Sequence, residues 1–130
     1  MFDKRQKVRI HLIKKKYQEI GSILCPAFNN ERIYFRRKGF VHLLRKKGAW
    51  RPEAQRERKF HLLEYVSIIV ETSTFFTKYR KEISNTGRQI QFWELSQRFA
   101  DRIVCVIVQQ IDNGSKCFLS IKDYKLKDIP

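Results

Sequence analysis

The chain has 130 residues, is 42% hydrophobic and 13% aromatic, and carries a formal net charge of +15. That length supports one domain, residues 1–130, around one core, and the apolar content excludes a disordered basic tail. The first 60 residues hold 18 of the 28 Lys and Arg but only 5 of the 13 Asp and Glu. This half is therefore a candidate docking surface for a polyanion: nucleic acid first, an acidic protein second, a membrane surface last, since no apolar run is long enough to span a bilayer.

In chain order, Asp3 is placed to cap a first helix that runs to about Ile20, with Val8, Leu12, Ile13, Tyr17 and Ile20 as its apolar stripe. Gly21 to Asn30, with Cys25-Pro26 and Asn29-Asn30, reads as a loop, and Arg32 to Arg36 as a short strand. The next helix contains Phe40 to Lys47 and stops near Gly48. At 100° per residue Phe40, Leu43 and Leu44 share one face with Val41 at its flank, and His42, Arg45, Lys46 and Lys38 fall opposite. Pro52 suits the first turn of a third helix reaching Val70, whose second half is apolar on most sides.

From there the pattern is extended. Phe75–Ile83 and Gln89–Phe99 read as strands joined at Ser84-Asn85-Thr86-Gly87. Ile103–Ile111 has the β-branched continuity of a central strand, Asp112-Asn113-Gly114-Ser115 signals a hairpin, and Lys116–Tyr124 is the last strand. In that strand alternation puts Phe118, Ser120 and Lys122 on one face, and Cys117, Leu119 and Ile121 on the other. The expected fold is α+β: N-terminal helices on a four- to five-stranded twisted antiparallel sheet, in the order α-β-α-α-β-β-β-β.

Three constellations bear on chemistry. His42 lies among cations. It is either a proton carrier acting on a ribose 2′-hydroxyl or a leaving 5′-oxygen, with Arg45 or Lys46 holding the phosphate, or one more contact on an RNA-docking face. Ser120 and Lys122 line up on the last strand, as phosphate contacts or as an ordinary half-exposed edge. Thr72, Ser73, Thr74 and Thr77 follow the third helix and read as capping or turn residues. His61 is expected in the core or at its boundary and His11 on the surface. Trp93 is expected to pack in the sheet, while Trp50, beside Arg51, is the better platform for a base. Cys25, Cys105 and Cys117 are odd in number and widely spaced, which suits free thiols in a reducing cytoplasm, with a Cys105–Cys117 bridge as the lesser reading. There is no glycine-rich phosphate loop, GxSxG or HExxH, and no acidic cluster with metal-ligand spacing, so no metal or cofactor is called for.

The segment Ile33-Tyr34-Phe35-Arg36-Arg37-Lys38-Gly39-Phe40-Val41-His42-Leu43-Leu44, together with the hairpin from Arg102 to Ile121 that carries Phe118-Leu119-Ser120-Ile121, resembles phage and mobile-element nucleases of the barnase–EndoU–colicin–RelE superfamily. The likeness covers about residues 31 to 124. It implies helices followed by an antiparallel sheet, and metal-independent RNA cleavage through a 2′,3′-cyclic phosphate. His42 would be the general acid or base, Arg45 or Lys46 the phosphorane contact, and Ser120 the phosphate contact from the sheet. It further implies a toxin or effector acting on tRNA or mRNA, with an acidic inhibitor as companion. Arg36, Arg37, Lys38, Lys47, Trp50, Arg51 and Lys122 are the expected nucleic-acid contacts. The second proton carrier is left unassigned, Glu94 being the only acidic residue in its strand. The alternative function is a non-catalytic RNA- or DNA-binding module using the same basic half.

Overall fold

Asp3 accepts from the backbone N–H of Gln6 at 2.8 Å, and the Gln6 side chain returns a bond to the Asp3 N–H, which starts helix α1 (Lys4–Ile20) with a reciprocal cap. In this computed structural model, which describes residues 2–126, the helix ends at Gly21. The positive φ of 65° there turns the chain at once into strand β1 (Ser22–Cys25). A short 3-10 turn (Pro26–Phe28) leads to β2 (Glu31–Tyr34), and α2 (Arg37–Leu44) follows. A two-residue hairpin, β3 (Arg45–Lys46) and β4 (Ala49–Trp50), precedes the long helix α3 (Glu53–Thr72). The remaining strands are β5 (Lys78–Ile83), β6 (Gln89–Phe99), β7 (Arg102–Ile111) and β8 (Cys117–Lys125).

The α+β class and the three helices match the sequence reading. The sheet departs from it. It has six strands in the order β1-β2-β8-β7-β6-β5, and it is mixed, because β2 runs parallel to β8. The segment read as a loop after α1 supplies β1, which pairs in antiparallel register with β2. The polar tail assigned to α2 is instead the β3–β4 hairpin, turned at Lys47 and Gly48, both at positive φ. Trp50 therefore lies in a strand of this hairpin, opposite Arg45, and Arg51 directly follows it.

Helix α3 packs across one face of the sheet and α2 along β8, and α1 joins the same core through Ile13 and Tyr17. The apolar residues of α1 and α3 (Ile13, Tyr17, Phe60, Val66, Ile69 and Val70) meet Ile33, Leu95, Val106, Val108, Phe118 and Ile121, all buried. His61 is exposed, so its place in the core is corrected: α3 buries the Phe60, Leu63 and Val66 stripe and points His61 away from it. Trp93 packs in the sheet against Phe28 and Tyr79, as the sequence suggested. Thr72 and Ser73 do close the end of α3, where both hydroxyls accept from the Gln97 amide. All three cysteines are free. Cys105 stands opposite Lys122 and Cys117 opposite Gln109, so the register separates them.

The feature that sets the site is where α2 lies. β2 touches β8 in register only at Tyr34 and Cys117, and α2 packs along β8 beyond that point. Gly39 makes this possible. A Cβ there would stand 2.5 Å from the Tyr17 hydroxyl and 2.6 Å from the Phe118 carbonyl, so only glycine lets the helix come so close. The Tyr17 hydroxyl in turn donates to the Arg36 carbonyl at 2.6 Å and fixes the first turn.

A candidate active-site cleft beside helix α2

Directly opposed residues in antiparallel strands share a face. The register thus lines up Lys78, Glu94, Ile107 and Ser120 across four strands, with Ser96, Cys105 and Lys122 in the next row. Leu95, Val106 and Ile121 take the opposite, helix-covered face. A bulge at Leu119, between the Ile107–Ser120 and Val108–Phe118 pairs, keeps this order. It corrects the expected alternation, since Phe118 belongs with Ile121 in the core while Ser120 and Lys122 face away from it.

The uncovered face forms a cleft of about 660 Å³, whose walls include His42, Lys78, Glu94, Ser120 and Lys122 over a floor with Phe92 and Ile107. Its size is that of a small-ligand site. α2 brings His42 to one wall and β8 brings Ser120 and Lys122, so three residues singled out from the sequence open onto one space. Glu94 is the residue that sequence reasoning left unplaced. It is buried, at 5% exposure, in the middle of that space. Its two oxygens lie 3.8 Å from the Lys78 Nζ and 3.4 Å from the Lys122 Nζ. The signal that would have found it is its neighbour: with Leu95 facing the core, Glu94 must face the other way.

Among the described residues, only two buried side-chain polar atoms lack a hydrogen-bond partner, His42 Nδ1 and Glu94 Oε1. The Lys122 ammonium is near Glu94 Oε1 but does not meet hydrogen-bond geometry. Each such atom costs about 1–3 kcal/mol, and folds tolerate that cost chiefly where the group has work to do. The two residues that carry them, His42 and Glu94, both line this one cleft.

Electrostatics sharpen the picture. Burial, then the charges of Arg51, Lys59, Lys38 and Lys46, push the His42 pKa below its usual value. Lys59 on α3 donates to the Ile121 carbonyl, between Ser120 and Lys122 in sequence. Burial and nearby Arg51 lower its ammonium to about 8. Lys122 lines the β8 side of the cleft, and Lys59 bonds to the backbone of the same strand one residue away.

The other expected contacts lie elsewhere. Arg45 is outside the cleft, donating to the Gly48 carbonyl at 2.5 Å and standing over the Trp50 ring. Lys46 is exposed on the hairpin and reaches His42 only through its charge. Arg51 is no open RNA contact. It is buried, and its Nε donates to the His42 carbonyl at 3.1 Å, which steadies α2. Lys38 donates to Gln109 at 2.8 Å, and Arg36 stands over Tyr34. Arg37 and Lys47 border a hollow beside His42, and Trp50, 40% exposed, borders a groove between α1 and α2.

Among the described residues no three His, Cys, Asp or Glu come together as a metal-holding group, and no helix is long and apolar enough to cross a membrane. Compared with protein-family models, curated proteins and solved structures, the chain matches none, so its functional reading rests on the cleft itself.

Proposed function

We propose that the chain is a metal-independent endoribonuclease that cleaves RNA by attack of a ribose 2′-hydroxyl on the adjacent phosphate, with Glu94 and His42 as its two proton carriers. What carries the reading is that the two residues with an unpartnered buried polar atom, a glutamate and a histidine, line one cleft together with Lys78 and Lys122. Glu94, the carboxylate that lines the cleft, is assigned to receive the 2′-hydroxyl proton. His42 gives a proton to the departing 5′-oxygen. Burial first, and then the neighbouring cations, depress its pKa; an incoming phosphate offsets the cations' part and so shifts His42 toward its protonated form in the complex. Lys122, Lys78 and the Ser120 hydroxyl bind the phosphate oxygens as charge builds on the phosphorane. The phosphorane contact first given to Arg45 or Lys46 passes to these groups, because they line the cleft.

This assignment supports membership of the barnase–EndoU–colicin–RelE-like nucleases and supplies a glutamate in the sheet as the second carrier. A toxin or effector role against tRNA or mRNA, in the cytoplasm and with an acidic inhibitor, belongs to the same proposal. The test is incubation of total RNA in chelator with the wild type, His42→Ala and Glu94→Gln proteins, followed by mapping of new ends. New 2′,3′-cyclic ends from the wild type only support the assignment. Equal cleavage by either variant refutes that residue's role. Tight RNA binding with no cleavage by any of the three leaves the non-catalytic RNA-binding module as the function.

A further inference from the structure

The catalytic cleft does not end at His42. A second hollow, of about 540 Å³, shares His42 with it and is bordered by Arg37, Lys38, Arg45 and Lys47. That hollow shares Arg37, Val41 and Arg45 with a groove of about 600 Å³ between α1 and α2, which Lys14 and Trp50 also border. The three spaces therefore follow one another around α2. On a helix at 100° per residue, Arg37 and His42 lie about 140° apart, so the path bends through more than a third of a turn around this short helix.

Cations recur along the whole path. Lys14, Arg37 and Lys47 form no ion pair or side-chain hydrogen bond among the described residues, so their charge is available to a ligand. Apolar side chains line the α1–α2 groove beneath them, half-buried Val41 and buried Leu44 among them, with the exposed Trp50 at its edge, its ring held by Arg45 and by the edge of Phe2. Alternating cations and apolar or aromatic surface suit a sugar–phosphate strand whose bases need somewhere dry to lie. The curvature selects the strand. An α-helix is about 10–12 Å across with its side chains. Duplex nucleic acid is stiff over about 150 base pairs, and it cannot follow a bend of that radius.

We infer that the path around α2, from Trp50 and Lys14 through Arg37 and Lys47 to His42, is an extended binding track for single-stranded RNA of several nucleotides. It presents one phosphate of that strand to the cleft. The inference rests on the ribonuclease reading for the identity of the strand, and on the geometry of the three joined hollows for its path. Its consequence is a substrate class: single-stranded or unpaired segments, with a dinucleotide too short to use the track.

The experiment measures binding and cleavage separately. Binding uses single-stranded DNA oligonucleotides, which lack the attacking 2′-hydroxyl, from about two to about twelve nucleotides long, and a matching duplex. Affinity is expected to rise with length to a plateau and to be weaker for the duplex. Replacing both Arg37 and Lys47 with Gln should reduce the log–log salt slope for the long strand by about 1.4, at about 0.7 per phosphate contact. A Lys16→Gln, Lys81→Gln protein, with equal charge removed away from the track, should keep the wild-type slope. Trp50→Ala should weaken long-strand binding roughly 5- to 150-fold, the range of one lost base stack. Affinity independent of length, duplex bound as well as single strand, or equal slopes for the two double variants would each overturn the track. A length-independent affinity beside efficient cleavage of a dinucleotide would leave the cleft standing and remove only the track. Length-dependent binding without cleavage would do the reverse.

Discussion

Gly39→Ala tests the link between packing and site in one atom. The new methyl would stand 2.6 Å from the Phe118 carbonyl oxygen and 2.7 Å from the Phe118 Cδ2. The Tyr17 hydroxyl, at 2.5 Å, is able to swing away, but it then gives up its 2.6 Å bond to the Arg36 carbonyl. The Phe118 carbonyl belongs to β8 and cannot move by itself. To reach an ordinary contact of about 3.4 Å, α2 has to back away by roughly 0.8 Å. Forcing a group into a filled site costs about 1–3 kcal/mol, and the lost tyrosine bond adds about 1. The better helix propensity of alanine returns about 1. The net loss is about 2 kcal/mol, which for a chain of this size lowers Tm by roughly 6–10 °C. The same retreat carries His42 away from Glu94 and Ser120, and a displacement near 1 Å is enough to lower cleavage about 100-fold. Thermal unfolding and single-turnover cleavage, measured on the same sample below its transition, read both effects. A Tm within a degree of the wild type would show that α2 does not press on β8 at Gly39, and the placement of His42 in the cleft would fall with it.

The remaining predictions concern titration and charge. With His42 as the acid, kcat/KM should decline as pH rises through its lowered pKa, below the usual histidine value, and a rate still climbing from about pH 6 to pH 8 would make it the base instead. The same shift bears on stability. Because the folded pKa lies below the unfolded one, the unfolded chain binds more protons, so stability is lost as pH falls from about 6.5 through the folded value, and His42→Gln should flatten that loss in a Tm–pH series. Lys59 should show an NMR inflection near pH 8, and an inflection near 10.5 would refute its desolvated setting behind β8. Asp123 is opposed by burial but held low by Arg58 at 2.7 Å and Arg102 at 2.6 Å. Asp123→Asn should cost about 2 kcal/mol at neutral pH, and that difference should shrink in acid as the carboxylate protonates.

What the sequence made legible was what depends on local pattern. Asp3, Gly21 and the apolar stripes of α1 and α3 act within a few residues of themselves, and those helices begin and end close to where the pattern puts them. The β5–β8 meander was equally open to reading, because its turns at 84–87 and 112–115 carry strong turn chemistry. Ser22–Cys25 escaped because a four-residue strand beside Pro26 has no periodicity of its own and exists only through its pairing with Glu31–Tyr34. The parallel contact of Tyr34 with Cys117, 83 positions away, escaped for the same reason. The candidate site mixes both kinds of information. His42 was visible as an imidazole among cations on one helical segment, and Ser120 with Lys122 as a strand pair. Glu94 depended on the facing of Leu95, and facing is set by which side of the sheet the helices cover. That choice is made by α3 packing on β7 and β8, with α2 against β8, over the side that carries Val106, Val108 and Ile121. The uncovered side then receives whatever alternates with those residues: Glu94, Ser120 and Lys122. The bulge at Leu119 is what reconciles the two demands on β8, since without it Phe118, which the core needs, and Ser120, which the cleft needs, would point the same way.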